Sequence, residues 1–111
     1  MSVELISKKA IKQEIQEMLR NLETYIEVAV DVRRGILAGG IMHADCEAVL
    51  TENGSKQEDI WGANWDAASK IIEFEALINI RPKLGNRKTE IQDPKLRTQI
   101  EKIVRNLLEI S

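Results

Sequence analysis

The chain has 111 residues, a formal net charge of −2 and 43% hydrophobic content, enough for one modest core and too little for separate catalytic and regulatory domains. Its pI near 5.5 supplies no global field for nucleic acid or an acidic membrane, so any polyanion contact has to be local. The single cysteine excludes an intrachain disulfide and the usual four-thiolate or two-Cys-two-His zinc sets. No apolar run approaches the roughly 18 residues of a spanning segment, and the start lacks an apolar signal core, so the expectation is one soluble, cytoplasmic domain without membrane contact.

In chain order, Val3 to Ile6 read as a short strand. Ser7 can cap a helix whose apolar stripe is Ile11, Ile15, Met18, Leu19 and Leu22. From Tyr25 to Val32 the period changes to two, with Ile26, Val28, Val30 and Val32 alternating against Tyr25, Glu27, Ala29 and Asp31, which predicts a half-buried strand. Arg33-Arg34-Gly35 breaks it, and a short connection through Gly39-Gly40 leads into a second alternating run from Met42 to Leu50. Glu52-Asn53-Gly54-Ser55 is a hairpin signal that pairs this run with Gln57 to Trp65. After the turn Asp66-Ala67-Ala68-Ser69, Lys70 to Arg81 reads as a long strand. Pro82 ends it, because proline cannot donate to a ladder. Lys83 to Gln92 is a polar loop, and Asp93-Pro94 opens a last helix with the buried stripe Leu96, Ile100, Ile103, Val104, Leu107 and Leu108. The predicted fold is α+β: an antiparallel four- to five-stranded meander with the N-terminal and C-terminal helices packed on one face.

The open face of that sheet would carry the chemistry. If Met42 to Leu50 is a strand, His43, Asp45 and Glu47 share one face near Glu27 and Asp31, while Cys46 points to the other. His43 with these carboxylates suits acid and base work, with His43, Asp45 and Glu47 as catalytic candidates. The set Asp31, His43 and Asp45 suits a divalent ion such as Mn or Mg, which takes oxygen ligands and one imidazole. The competing reading is an ordinary solvated sheet face. Cys46 among alanines reads as a buried, inert thiol. A second group is basic: Arg81, Lys83, Arg87 and Lys88 in one loop and Arg33 and Arg34 in another. Arg81, Arg87 and Arg33 are the candidates for holding phosphate, against a reading in which the loops are only solvated. No Gly-x-Ser-x-Gly elbow, Walker loop or dinucleotide spacing is present. Trp61 and Trp65 share a parity and read as core or dimer-interface residues.

Four strings resemble successive blocks of a small bacterial family classed as a domain of unknown function: Asp31 to Gly40, Met42 to Glu47, Gln57 to Trp65 and Leu77 to Pro82. The resemblance covers the chain from Tyr25 onward and implies no activity, cofactor or site residue. Two functions from different classes are therefore carried forward. The first is a non-catalytic binding or assembly module that pairs with a second copy, its sheet face or tryptophans making the homodimer. The second is a small metal-assisted or His-dependent hydrolase or nuclease acting on a phosphate ester, with a nucleic acid or other phosphate ligand.

Overall fold

The computed structural model describes residues 3–19 and 24–109. Its centre is a five-stranded antiparallel sheet in the order β1-β3-β2-β4-β5, formed by β1 (Glu4–Ile6), β2 (Tyr25–Asp31), β3 (Ile36–Gly40), β4 (Ile60–Asp66) and β5 (Ile72–Glu73). The fold is α+β as expected, but β3 is joined to β4 by a helix that crosses β2, so the order is not a simple sequential meander. The helices are α1 (Lys12–Met18), α2 (His43–Glu52) and α3 (Pro94–Leu108). Among the described residues no helix is long and apolar enough to cross a membrane.

One face of the sheet carries the main core. Ile26, Val28 and Val30 of β2, Leu37 of β3 and Trp61, Ala63 and Trp65 of β4 meet Met18 of α1 and Ile100, Val104, Leu107 and Leu108 of α3. Both terminal helices thus pack on this face, as their stripes predict. Asp93 caps α3 by accepting a hydrogen bond from the Lys95 N–H at 2.9 Å, with Pro94 at the first helical position, where its missing N–H costs nothing. Trp65 adds a polar anchor at the far end, its indole N–H donating to Glu109 Oε2 at 2.9 Å. Both tryptophans are core residues of one chain, 6% and 1% exposed, rather than surface residues of an interface.

Four expected elements differ. The first helix begins at Lys12, not after Ser7. The Ile11 N–H is taken by Glu14 Oε1 at 2.9 Å, so a side chain inside the helix caps it. Leu22, expected in its stripe, lies outside the described residues. Ile36–Gly40, read as a connection, is a strand. It is buried throughout and therefore lacks the two-residue alternation by which a half-exposed strand is recognised. Gly35 supplies its hairpin turn at φ +69°, a conformation costly to residues with a Cβ. The third difference is that Met42 to Leu50, expected as a strand, is mostly helical: α2 runs His43–Glu52. The Asn53-Gly54 signal therefore ends a helix and not a strand, with the Asn53 N–H donating to Leu50 O at 3.0 Å.

The fourth difference is the long strand predicted from Lys70 to Arg81, which pairs with β4 only at Ile72 and Glu73, makes isolated bridges from Glu75 to Glu90 and from Arg81 to Asn86, and between them becomes a 3₁₀ turn at Leu77–Asn79. The reason lies at Gly62 on β4. The amide of Asn79 replaces a strand there: Gly62 N–H donates to Asn79 Oδ1 at 2.7 Å, and Asn79 Nδ2 donates back to Gly62 O at 3.0 Å. A Cβ at position 62 would lie 2.5 Å from Ala76 Cβ and 3.0 Å from Ile78 Cγ1, so only glycine admits this segment so closely. The supposed polar loop that follows also contributes Ile91, fully buried in the main core.

Candidate functional site

The sheet face expected to lie open is covered by α2. Ala29, Ile36, Ala38 and Ile60 of the sheet pack against Cys46 and Leu50, with Val49 and Ile78 beside them. A helical period puts His43, Cys46, Glu47 and Leu50 toward the sheet at spacings of three, one and three, whereas Ala44, Asp45 and Ala48 are exposed. His43 and Glu47 therefore share a face, and Asp45 does not join them.

His43 sits at the first turn of α2 over the start of β2. Glu27 Oε1 accepts the His43 backbone N–H at 2.9 Å and lies 3.0 Å from the ring Nδ1. The carboxylate thus covers the positive end of the helix and holds the imidazole at once. The second ring nitrogen, Nε2, is 2.9 Å from the Ala63 carbonyl of β4. Both nitrogens face protein oxygens, and the side chain is 14% exposed. One turn on, Glu47 Oε2 receives Arg81 Nη2 at 2.6 Å, with the two side chains 18% and 11% exposed. The rest of the Arg81 fork is also engaged: Nε donates to Ile78 O at 2.8 Å, Nη1 to Gln57 O, and the guanidinium carbon stands 5.8 Å from the Trp61 ring centre. A planar five-donor group suits such a junction, where lysine would reach one partner.

The other candidates are held apart. Asp31 is fully buried at the far end of β2, four residues and about 13 Å along the strand from Glu27. Its Oδ1 accepts the Arg33 and Arg34 N–H groups at 3.0 Å each, closing the β2–β3 turn, while Oδ2 receives no hydrogen bond from the described residues. Arg33 pairs with Asp59 at 3.0 Å. Arg87 is exposed, and its backbone N–H donates to Gln92 Oε1 at 3.0 Å. Arg81 and Arg87 lie in one loop and Arg33 in another, and Arg81 and Arg33 are already engaged by Glu47 and Asp59. Asp31, His43 and Asp45 are not brought together, and no three His, Cys, Asp or Glu side chains among the described residues converge as ligands for a metal ion.

Cys46 is fully buried on α2, its Sγ 3.6 Å from the Glu27 carbonyl. Burial, together with the nearby Glu27 and Asp45 charges, pushes its thiol up to about 12. The thiol thus stays neutral throughout the physiological range and would gain thiolate character only near that value. We expect no measurable reaction with a thiol reagent such as dithionitrobenzoate at pH 8 in the folded protein and one equivalent after denaturation, read by absorbance. Rapid labelling of the native protein would contradict this burial.

Two residues that matter most here carried little signal as sequence. Asn79 and Asn86 are buried, and beyond its Gly62 bonds Asn79 Nδ2 donates to Thr89 O at 3.0 Å. Asn86 Nδ2 reaches Asn79 O at 2.8 Å and Lys88 O at 2.9 Å, and its Oδ1 accepts from Gln92 N–H at 2.8 Å. Two amides thus hold residues 76–92 as a rigid loop against β4, and that loop delivers Arg81 to Glu47. The available cue was Gly85-Asn86, a turn dipeptide inside an otherwise charged stretch.

No curated protein and no solved structure matches the chain. A family model described as a protein of unknown function, DUF5674, matches residues 4–107, which takes in the four sequence blocks, the sheet, α1, α2 and all of α3 but its last residue. The chain belongs to that family.

Proposed function

We propose that this protein is a non-catalytic binding or assembly module. The observation that carries the reading is the engagement of the would-be catalytic groups within the fold. A general base needs a nitrogen facing substrate, and both His43 nitrogens are 2.9–3.0 Å from Ala63 O and Glu27 Oε1. A phosphate clamp needs a guanidinium fork turned outward, whereas that of Arg81 is bound to Glu47, Ile78 O and Gln57 O. These links fasten α2 and the 76–92 loop to the sheet. The same flank also exposes apolar side chains, Met42 at 54% and Leu77 at 77%.

The test is His43→Ala, compared with wild type by thermal and urea unfolding in the presence and absence of Mn, Mg and nucleotides. A clamp predicts a loss of about 1.5–3 kcal/mol, or about 10 °C in Tm, because Ala63 O and Glu27 Oε1 each lose a ring contact, Glu27 Oε1 keeping only the backbone N–H of residue 43, and no stabilisation of either protein by the ligands. A variant as stable as wild type, together with a ligand-induced rise that the variant lacks, would favour the hydrolase or nuclease instead. At a hundred times its Kd a ligand adds about 2.7 kcal/mol, well within detection.

A further inference from the structure

Building on the reading of His43 as a clamp, we propose that His43 and Glu27 form a proton-dependent latch on α2: the ring fastens the helix to the sheet as the imidazolium and gives up one of its two holds when that proton leaves. The geometry sets two acceptors around one ring. Nδ1 lies 3.0 Å from Glu27 Oε1, and Nε2 lies 2.9 Å from the Ala63 carbonyl oxygen. A carboxylate and a carbonyl only accept, whereas a neutral imidazole carries one N–H and one bare nitrogen. In either neutral tautomer a nitrogen lone pair would face an oxygen lone pair at contact distance. Only the doubly protonated ring donates to both oxygens at once.

The proton belongs to the ring and not to Glu27. Glu27 Oε1 also accepts the His43 backbone N–H at 2.9 Å, at the positive end of α2, and both contacts favour the charged carboxylate. The charges around the pair agree. On α2 itself, Asp45 is exposed, and Glu47, one turn on, is matched by Arg81 from the 76–92 loop. The same loop sets Ile78 beside α2, while β1 and β3 face it with Val3, Leu5, Ile36 and Ala38. On β4 the neighbours of Ala63 are the uncharged Gly62 and Asn64, and on β2 Asp31 lies at the far end of the strand. The Cys46 thiol, 3.6 Å from the Glu27 carbonyl, is pushed up to about 12 and stays neutral. With Arg81 taken up by Glu47, the imidazolium is the ion-pair partner of Glu27. The sense of the switch follows from counting protons. An unfolded chain releases its histidine proton near pH 6.5, roughly, and where the folded chain holds one proton more than the unfolded chain, stability falls as pH rises. The latch is therefore closed below that value and opens above it, loosening the first turn of α2 over β2 and β4.

The chain has one histidine, so long-range proton–nitrogen NMR reads this ring in the wild type without a variant. At about pH 7 both ring nitrogens are expected to carry protons, and on titration toward about pH 9 one of them becomes bare. A ring with one bare nitrogen at about pH 7 would overturn the latch. Urea unfolding of wild type and His43→Gln from about pH 6 to 9 gives the energetic counterpart, because glutamine does not titrate and the variant cancels every other group. The unfolding constant of wild type should rise at least about fivefold more than that of the variant, one proton allowing at most about tenfold per pH unit. An equal pH dependence in the two proteins would also overturn the latch. The NMR reading stands by itself should His43→Gln fold poorly. Either failure would leave the clamp, and with it the binding-module reading, to the His43→Ala comparison, which is made at a single pH.

Discussion

Asn79→Ala is expected to cost about 3–5 kcal/mol, a large share of the stability of a domain this size. The side chain is fully buried and makes three hydrogen bonds, accepting from Gly62 N–H and donating to Gly62 O and Thr89 O. Alanine removes all three bonds at once and strands the Gly62 N–H and Gly62 O under the 76–92 loop, each with a desolvation cost of about 1–3 kcal/mol unless water enters, while Thr89 O keeps the Ala76 N–H at 3.1 Å. Asn79→Asp should be no better. It keeps an acceptor for Gly62 N–H but turns a carboxylate oxygen toward two carbonyls, and the size of the residue is unchanged. Urea unfolding of both variants gives the answer, and a cost below about 1 kcal/mol for either would mean that the amide is not what holds the loop.

Arg81→Ala carries the second large effect, about 2–4 kcal/mol. Its guanidinium and the Glu47 carboxylate are mostly withdrawn from solvent, so the variant strands a charge under α2 and also uncovers the face of Trp61. Arg81→Lys should recover less than half of the loss. Lysine can meet Glu47 but cannot at the same time supply the Ile78 and Gln57 carbonyls that the fork now serves. Full rescue by lysine would reduce the role of Arg81 to that of a simple counter-charge.

Where an element keeps polar residues on one side or carries a local cap, the fold is legible from residues alone. The alternation of Ile26, Val28 and Val30 with Glu27 and Asp31 in β2, which marks the strand although α2 covers its second face, and the Asp93-Pro94 start of α3 are of this kind. Period fails where neither face is polar. Ile36–Gly40 has no polar face to mark it as a strand. His43 to Leu50 satisfies a period of two and a helical period equally well, and the outcome was settled by Ala44, Glu47, Ala48 and Leu50, good helix formers, and by the sheet face that needed covering. That one misreading moved the whole candidate site: as a strand the segment aligns His43 with Asp45, and as a helix it aligns His43 with Glu47. Arg81 stands out in the sequence as a cation at the end of an expected strand, a candidate for holding phosphate; in the fold it follows a 3₁₀ turn and is bound to Glu47. Its partner, a glutamate 34 residues earlier in the chain, is a tertiary fact that no local pattern encodes.

The most direct measurement is a double-mutant cycle on Glu47 and Arg81, with Glu47→Gln, Arg81→Gln and the pair compared with wild type by urea unfolding. If these groups clamp α2 to the loop, the cycle returns a favourable coupling of about 1–3 kcal/mol, with each single variant destabilised. Coupling near zero, with both singles as stable as wild type, would contradict a structural role and return these residues to candidacy for chemistry on a ligand.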